Sequence, residues 1–115
     1  MRSPFCCDLN DFLRAMSSET RQRILALLRY GEMSVGELVA SLELAQPTIS
    51  HHLAILRRAG LVLPRRVGKQ VYYRMNSACV TECCAGIVTL FNQDRASVWS
   101  EGGVAAFLVM GDTDE

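Results

Sequence analysis

The sequence predicts a mainly α-helical α+β chain, one folding unit with a single small β-hairpin. Three observations carry that prediction. Helical periodicity with matching end signals recurs four times before residue 60. The apolar period then shortens to two between residues 61 and 75. Half of the 115 residues are hydrophobic, enough to bury one modest core without disulfide or metal support.

The elements follow in order. "CDLNDFLRAM" sets Leu9, Phe12, Leu13 and Met16 at helical spacing, which leaves residues 1–8 as an arm carrying Cys6 and Cys7. "SSETRQRILALLRYG" offers Ser17 or Ser18 as an N-cap, gathers Ile24, Leu25, Leu27 and Leu28 on one face, and stops at Gly31. In "SVGELVASL" Ser34 and Glu37 have capping-box spacing, ahead of a stripe of Val35, Leu38, Val39 and Leu42. "QPTISHHLAILRRAG" puts Pro47 at a first helical position, where a missing N–H costs nothing, and Gly60 at the end, so a helix is expected over 47–59. Its inward face is Ile49, Leu53 and Leu56. Its outward N-terminal half offers Gln46, Thr48, Ser50 and His51, hydrogen-bonding groups suited to base edges, with His52 at the edge of the buried stripe.

Residues 61–75 carry β-formers in "LVL" and "QVYYRM" around a basic turn at "RRVGK", which reads as a two-stranded hairpin with a positive tip. A last helix runs from near Ser77 to about Asn92, with Val80, Cys84, Ile87, Val88 and Phe91 on one stripe. Residues 93–115 form an extension. Gly102 and Gly103 interrupt it, "VAAFLVM" fits a short helix or a strand, and the end is acidic.

The net charge is zero, yet the charges are not evenly spread. No Asp or Glu occurs from Leu44 to Thr81, the window that holds Arg57, Arg58, Arg65, Arg66, Lys69 and Arg74 with His51 and His52. A basic third balanced by an acidic remainder suits contact with a phosphate backbone. No run of eighteen apolar residues exists, and the N-terminus lacks the basic-then-apolar order of a signal peptide, so a soluble, cytoplasmic protein is expected. In a reducing compartment an odd set of five cysteines favours metal or redox chemistry over a disulfide framework.

Helix, helix, short helix, proline-led polar helix, basic hairpin, helix is the order of a winged helix-turn-helix. In "SSETRQRILALL", "LAQPTISHHLAILRRAGLV" and "RRVGKQVYYRM" the chain resembles the ArsR/SmtB family of metal-responsive repressors, over residues from about 10 to 92. The resemblance implies a homodimer through the first and last helices. It also implies a two-fold operator with half-sites roughly 34 Å apart, released when an inducer binds. By the same resemblance Gln46, Thr48, Ser50 and His51 would meet bases or nearby phosphates, and Arg58, Arg65, Arg66 and Lys69 the backbone.

The sensory chemistry is less fixed. Where many relatives carry Cys-Val-Cys-Asp, this chain has Ser34, Val35, Gly36 and Glu37, and with no histidine beyond His52 a histidine-rich zinc site is excluded. What remains is Cys6 and Cys7 with Cys79, Cys83 and Cys84, which the resemblance brings together at the dimer interface. Thiolates select soft ions, so As(III) or Sb(III), or else Cd(II), Pb(II) or Zn(II), would be the inducer. Cys83 is the first candidate on the last helix, Cys79 or Cys84 the second, and Cys84 mid-stripe also fits a buried small hydrophobe. Two alternatives stay open: a thiol redox or persulfide sensor on the same fold, and a thiol-based metal carrier without DNA binding. Cys84 and His52 lack a glycine-rich oxyanion loop or an orienting acid, so no enzyme is expected.

Overall fold

A computed structural model describes residues 9–92. In chain order it holds α1 (Leu9–Ala15), α2 (Glu19–Leu28), β1 (Met33–Ser34), α3 (Val35–Leu42), α4 (Gln46–Arg58), β2 (Val62–Val67), β3 (Gln70–Met75) and α5 (Ser77–Asn92). The arm at 1–8 and the extension at 93–115 lie outside the described residues.

Local chemistry sets the helix ends. Of the two serines offered for α2, Ser18 is the cap, its Oγ accepting from the Arg21 N–H. Ser34 and Glu37 close both halves of the capping box: Ser34 Oγ accepts from the Glu37 N–H at 3.1 Å, and Glu37 Oε1 accepts from the Ser34 N–H at 2.8 Å. α4 begins at Gln46, one residue earlier than expected, because the first turn needs no N–H from Pro47, and its last helical residue is Arg58. Glu43, left-handed at φ 57°, makes the sharp corner between α3 and α4.

The amphipathic stripes meet in one core. Ile24, Leu38, Ile49, Leu53, Leu56, Leu61 and Val62 are fully buried there, and each such side chain contributes about 1.5–3 kcal/mol relative to an exposed one.

The sheet has three strands in the order β1-β3-β2, not two. Met33 and Ser34 pair with Tyr73 and Tyr72, an addition too short to leave an alternation in the sequence. The turn is also narrower than expected. Val67 pairs with Gln70, so only Gly68 and Lys69 form it, with Gly68 at φ 61°, and Arg65 and Arg66 belong to β2. Pro64 is tolerated in β2 because that strand is an edge.

The expected stripe of α5 is rotated. Cys79 and Cys83 are its buried residues, whereas Cys84 and Phe91 are exposed. The helix packs on α1 through the side carrying Cys79, Cys83 and Gly86, where a Cβ on Gly86 would stand 3.3 Å from a Leu9 methyl. Close approach of α1 selects that face, so Cys84 is not the buried small hydrophobe considered for it.

Candidate nucleic-acid interface and thiol site

α4 separates its two faces cleanly. Ile49, Leu53 and Leu56 anchor it in the core, and Gln46, Thr48, Ser50 and His51 are all exposed along its outward N-terminal half. With 13 residues the helix is about 20 Å long, enough to lie in a major groove. Gln46 does not stand alone: with Lys69 and Gln70 of the hairpin tip and Val35, Gly36 and Val39 of α3 it lines one cleft. Two expected contact residues from distant parts of the chain, Gln46 and Lys69, are thus brought to one surface.

Strand parity splits the two hairpin arginines. Arg66 lies opposite Val71, on the face that Met33 and Tyr73 turn toward the core and that leads to the α3–α4 cleft. Arg65 lies opposite Tyr72, on the other face, and is engaged there. Its Nε and Nη2 donate to Glu32 Oε2 and Oε1 at 2.8 and 2.7 Å, a two-point fork, and its guanidinium lies 5.7 Å from the Tyr72 ring centroid. The fork holds the Glu32 carboxyl below its usual range and the Arg65 guanidinium above its own. The acid-free window of the sequence thus acquires a carboxylate in space. Arg58 is exposed at the C-terminal end of α4, where it lines a different cleft with Arg14 and Arg21, away from Gln46.

His52 is a packed, hydrogen-bonded histidine. Its Nδ1 accepts from the Arg21 guanidinium at 3.1 Å, and Arg21 also donates to the carbonyls of Ala15 at 2.6 Å and Arg14 at 3.1 Å, tying α4 to the α1–α2 corner. Burial first, then the charges of Arg21 and His51, push the imidazole below its usual value.

One relative is SdpR of Bacillus subtilis, a transcriptional repressor: 32% of 85 aligned residues are identical, covering 74% of this chain and 94% of SdpR. The chain belongs to the ArsR family of bacterial regulatory proteins. The family model, a bacterial regulatory protein of the arsR family, matches residues 18–63, the stretch from the α2 cap to the start of the hairpin. The arsenic resistance regulator ArsR1 of Pseudomonas putida is 48% identical over 64 residues, so this ArsR-family chain spans 55% of itself and half the length of ArsR1 in that match. The structure of HlyU from Vibrio cholerae superposes with a TM-score of 0.61 at 42% identity, over 73% of this chain and 91% of HlyU. These relatives are transcriptional regulators, not enzymes, and among the described residues no helix is long and apolar enough to cross a membrane.

Three of the five cysteines, Cys79, Cys83 and Cys84, lie within the described residues, all on α5. Cys79 and Cys83, one turn apart, are both buried, at 3% and 1% exposure, between α5 and α1. The Cys79 N–H donates to Asn76 Oδ1 at 3.4 Å, and Asn76 Nδ2 donates to the Gly60 carbonyl, so the first turn of α5 is fixed to the end of α4. Cys79 is disulfide-bonded, whereas the buried Cys83 and the exposed Cys84 are not. Cys6 and Cys7 lie outside the described residues. Among the described residues no three His, Cys, Asp or Glu side chains form a metal-binding group.

Sequence reasoning missed Glu32, Arg21 and Asn76. Glu32 and Arg65 are 33 residues apart and Arg21 and His52 are 31 apart, separations at which no periodicity signals a contact.

Proposed function

We propose that this ArsR-family chain is a transcriptional repressor that binds a two-fold operator as a homodimer and releases it when its thiolates capture As(III) or Sb(III). The observation that carries the DNA part is the exposed row of Gln46, Thr48, Ser50 and His51 on a helix whose opposite face is wholly committed to the core. Lys69 at the same cleft, and Arg66 on that side of the wing, add phosphate contacts. Pairing through α1 and α5 is supported by the exposed apolar side chains of Leu13, Leu90 and Phe91.

The metalloid part is supported by relatives named for arsenic resistance and by the soft donor set of Cys6, Cys7, Cys83 and Cys84, or Cys79 once its disulfide is reduced. Arsenite would exchange each hydroxyl for a cysteine sulfur, the thiol proton leaving with the hydroxyl as one water per As–S bond formed. Three sulfurs complete the ion; a divalent Cd(II), Pb(II) or Zn(II) would take four. Drawing the arm against α5 would change the pose of the paired α4 helices. A coupling of about 1–3 kcal/mol lowers operator affinity about 5- to 150-fold.

Fluorescence anisotropy with DNA from upstream of the gene tests both parts. Gln46→Ala and His51→Ala lower affinity about ten-fold each if base edges are read there, whereas Arg23→Ala on α2 does not. A Cys6→Ser/Cys7→Ser variant that still releases DNA at the wild-type arsenite dose removes the arm from the site.

A second reading, thiol redox or persulfide sensing, is favoured by the disulfide at Cys79 beside the buried thiol of Cys83. DNA release by peroxide or polysulfide, reversed by dithiothreitol and indifferent to arsenite, would select it.

A further inference from the structure

Toward the other end of α4 from the Gln46–Lys69 cleft lies a second opening of about 390 Å³, bounded by α1, the start of α2 and the last turn of α4. Among the described residues its wall carries three guanidinium groups, Arg14, Arg21 and Arg58, against one carboxylate, Asp11. That count leaves a surplus of two positive charges. Asp11 Oδ1 is taken by Arg14 at 3.1 Å. Arg21 is partly buried, and each of its contacts is to a neutral acceptor: two backbone carbonyls and the His52 imidazole. Among the described residues the Arg58 side chain makes no hydrogen bond or ion pair, although it lines the same opening.

The floor is different in kind. Ala15 and Ala59 are buried, at 1% and 7% exposure, and the half-buried Ile55 lines the opening with them. Clustered cations around an apolar floor suit a molecule with one anionic head and a short apolar body: the head offsets the surplus charge and accepts guanidinium hydrogen bonds, and the body covers the aliphatic floor. Arg58 lies 12 residues beyond Gln46, about 18 Å along the helix axis, so a duplex read by the first turns of α4 is not the natural occupant.

We infer that this cleft is an effector site for a small organic carboxylate, contacted by Arg58 and Arg21 over a floor of Ala15, Ile55 and Ala59. The site is independent of the cysteines and of arsenic. Its route to the DNA is short, because Arg21, which would bind the carboxylate, also holds His52 on α4.

The test is titration of the full-length, reduced chain with hexanoate, in parallel with inorganic phosphate, by calorimetry and by NMR of the histidine ring protons. Hexanoate is expected to bind saturably at one site per chain and more tightly than phosphate. Arg58→Ala should weaken it about ten-fold, Arg58→Lys less, and Arg57→Ala, an exposed neighbour outside the cleft, not at all. Bound carboxylate also offsets the Arg21 charge felt by His52, so hexanoate should move the His52 titration upward, a change that a merely structural Arg21 would not produce. Failure to saturate at about 50 mM, equal losses in Arg58→Ala and Arg57→Ala, or phosphate binding as tightly as hexanoate would overturn the assignment. So would an unmoved His52 titration at saturation.

Discussion

Replacing Glu32 by Gln should make the protein bind DNA more tightly and with a steeper salt dependence. In the free chain Glu32 grips Arg65 through two hydrogen bonds, on the face of the wing opposite the one Arg66 shares with Val71. A guanidinium committed to a carboxylate is not available to neutralise a phosphate. Each phosphate contact contributes about 0.9 to the slope of log affinity against log salt, so freeing one arginine per protomer steepens the slope by about that much. Over a four-fold rise in salt this is a further loss of affinity of about 3.5-fold per protomer. The assay is anisotropy of a labelled duplex from 50 to 200 mM salt with four proteins: wild type, Glu32→Gln, Arg65→Ala and the double variant. Arg65→Ala should leave the wild-type slope nearly unchanged yet remove the extra slope from the Glu32→Gln protein. If Arg65→Ala alone flattens the slope by a full unit and Glu32→Gln does nothing, Arg65 already leaves the carboxylate for the duplex and the reasoning fails.

Other expectations follow from the same contacts. His52 is held below its usual pKa, so the unfolded chain binds more protons between that depressed value and about 6.5, and stability should fall as pH drops through this window. His52→Gln, which keeps an acceptor for Arg21 without the titration, should flatten that part of the profile measured by urea unfolding. Leu53→Ala, at the centre of the core, should cost about 2–5 kcal/mol in the same assay; a loss under 1 kcal/mol would mean the core is not the one described. Phe91→Arg adds a charge to a side chain that is 79% exposed, so the protomer should stay folded while the oligomer in light scattering shifts to the monomer mass. An unchanged mass would move the dimer interface elsewhere.

Much of this fold was legible because its helices carry their own punctuation. Ser18, the Ser34–Glu37 pair, Pro47 and Gly60 mark ends by local chemistry, and three apolar positions on α4 are enough to orient the face that bears Gln46, Thr48, Ser50 and His51. Where composition is nearly uniform the pattern loses its phase. α5 is apolar on most sides, so its sequence could not tell whether Cys84 or Cys83 faced inward; the close approach of Leu9 to Gly86 decides it. β1, at two residues, falls below any period. The positive charge around the wing is smaller than the sequence count for a related reason: counting along the chain isolates Arg65 from every acid, whereas the β1–β3 pairing carries Glu32 beside it.

Pro64 has a further effect on how copies of this protein behave in a crowd. β2 is the outer strand of the sheet, and a bare strand margin invites another chain to extend it. At its middle this margin lacks an amide hydrogen, and Arg65 and Arg66 follow immediately. A neighbouring wing would find a gap in the ladder and the Arg66 cation beside it, so many copies can crowd together without their sheets knitting edge to edge.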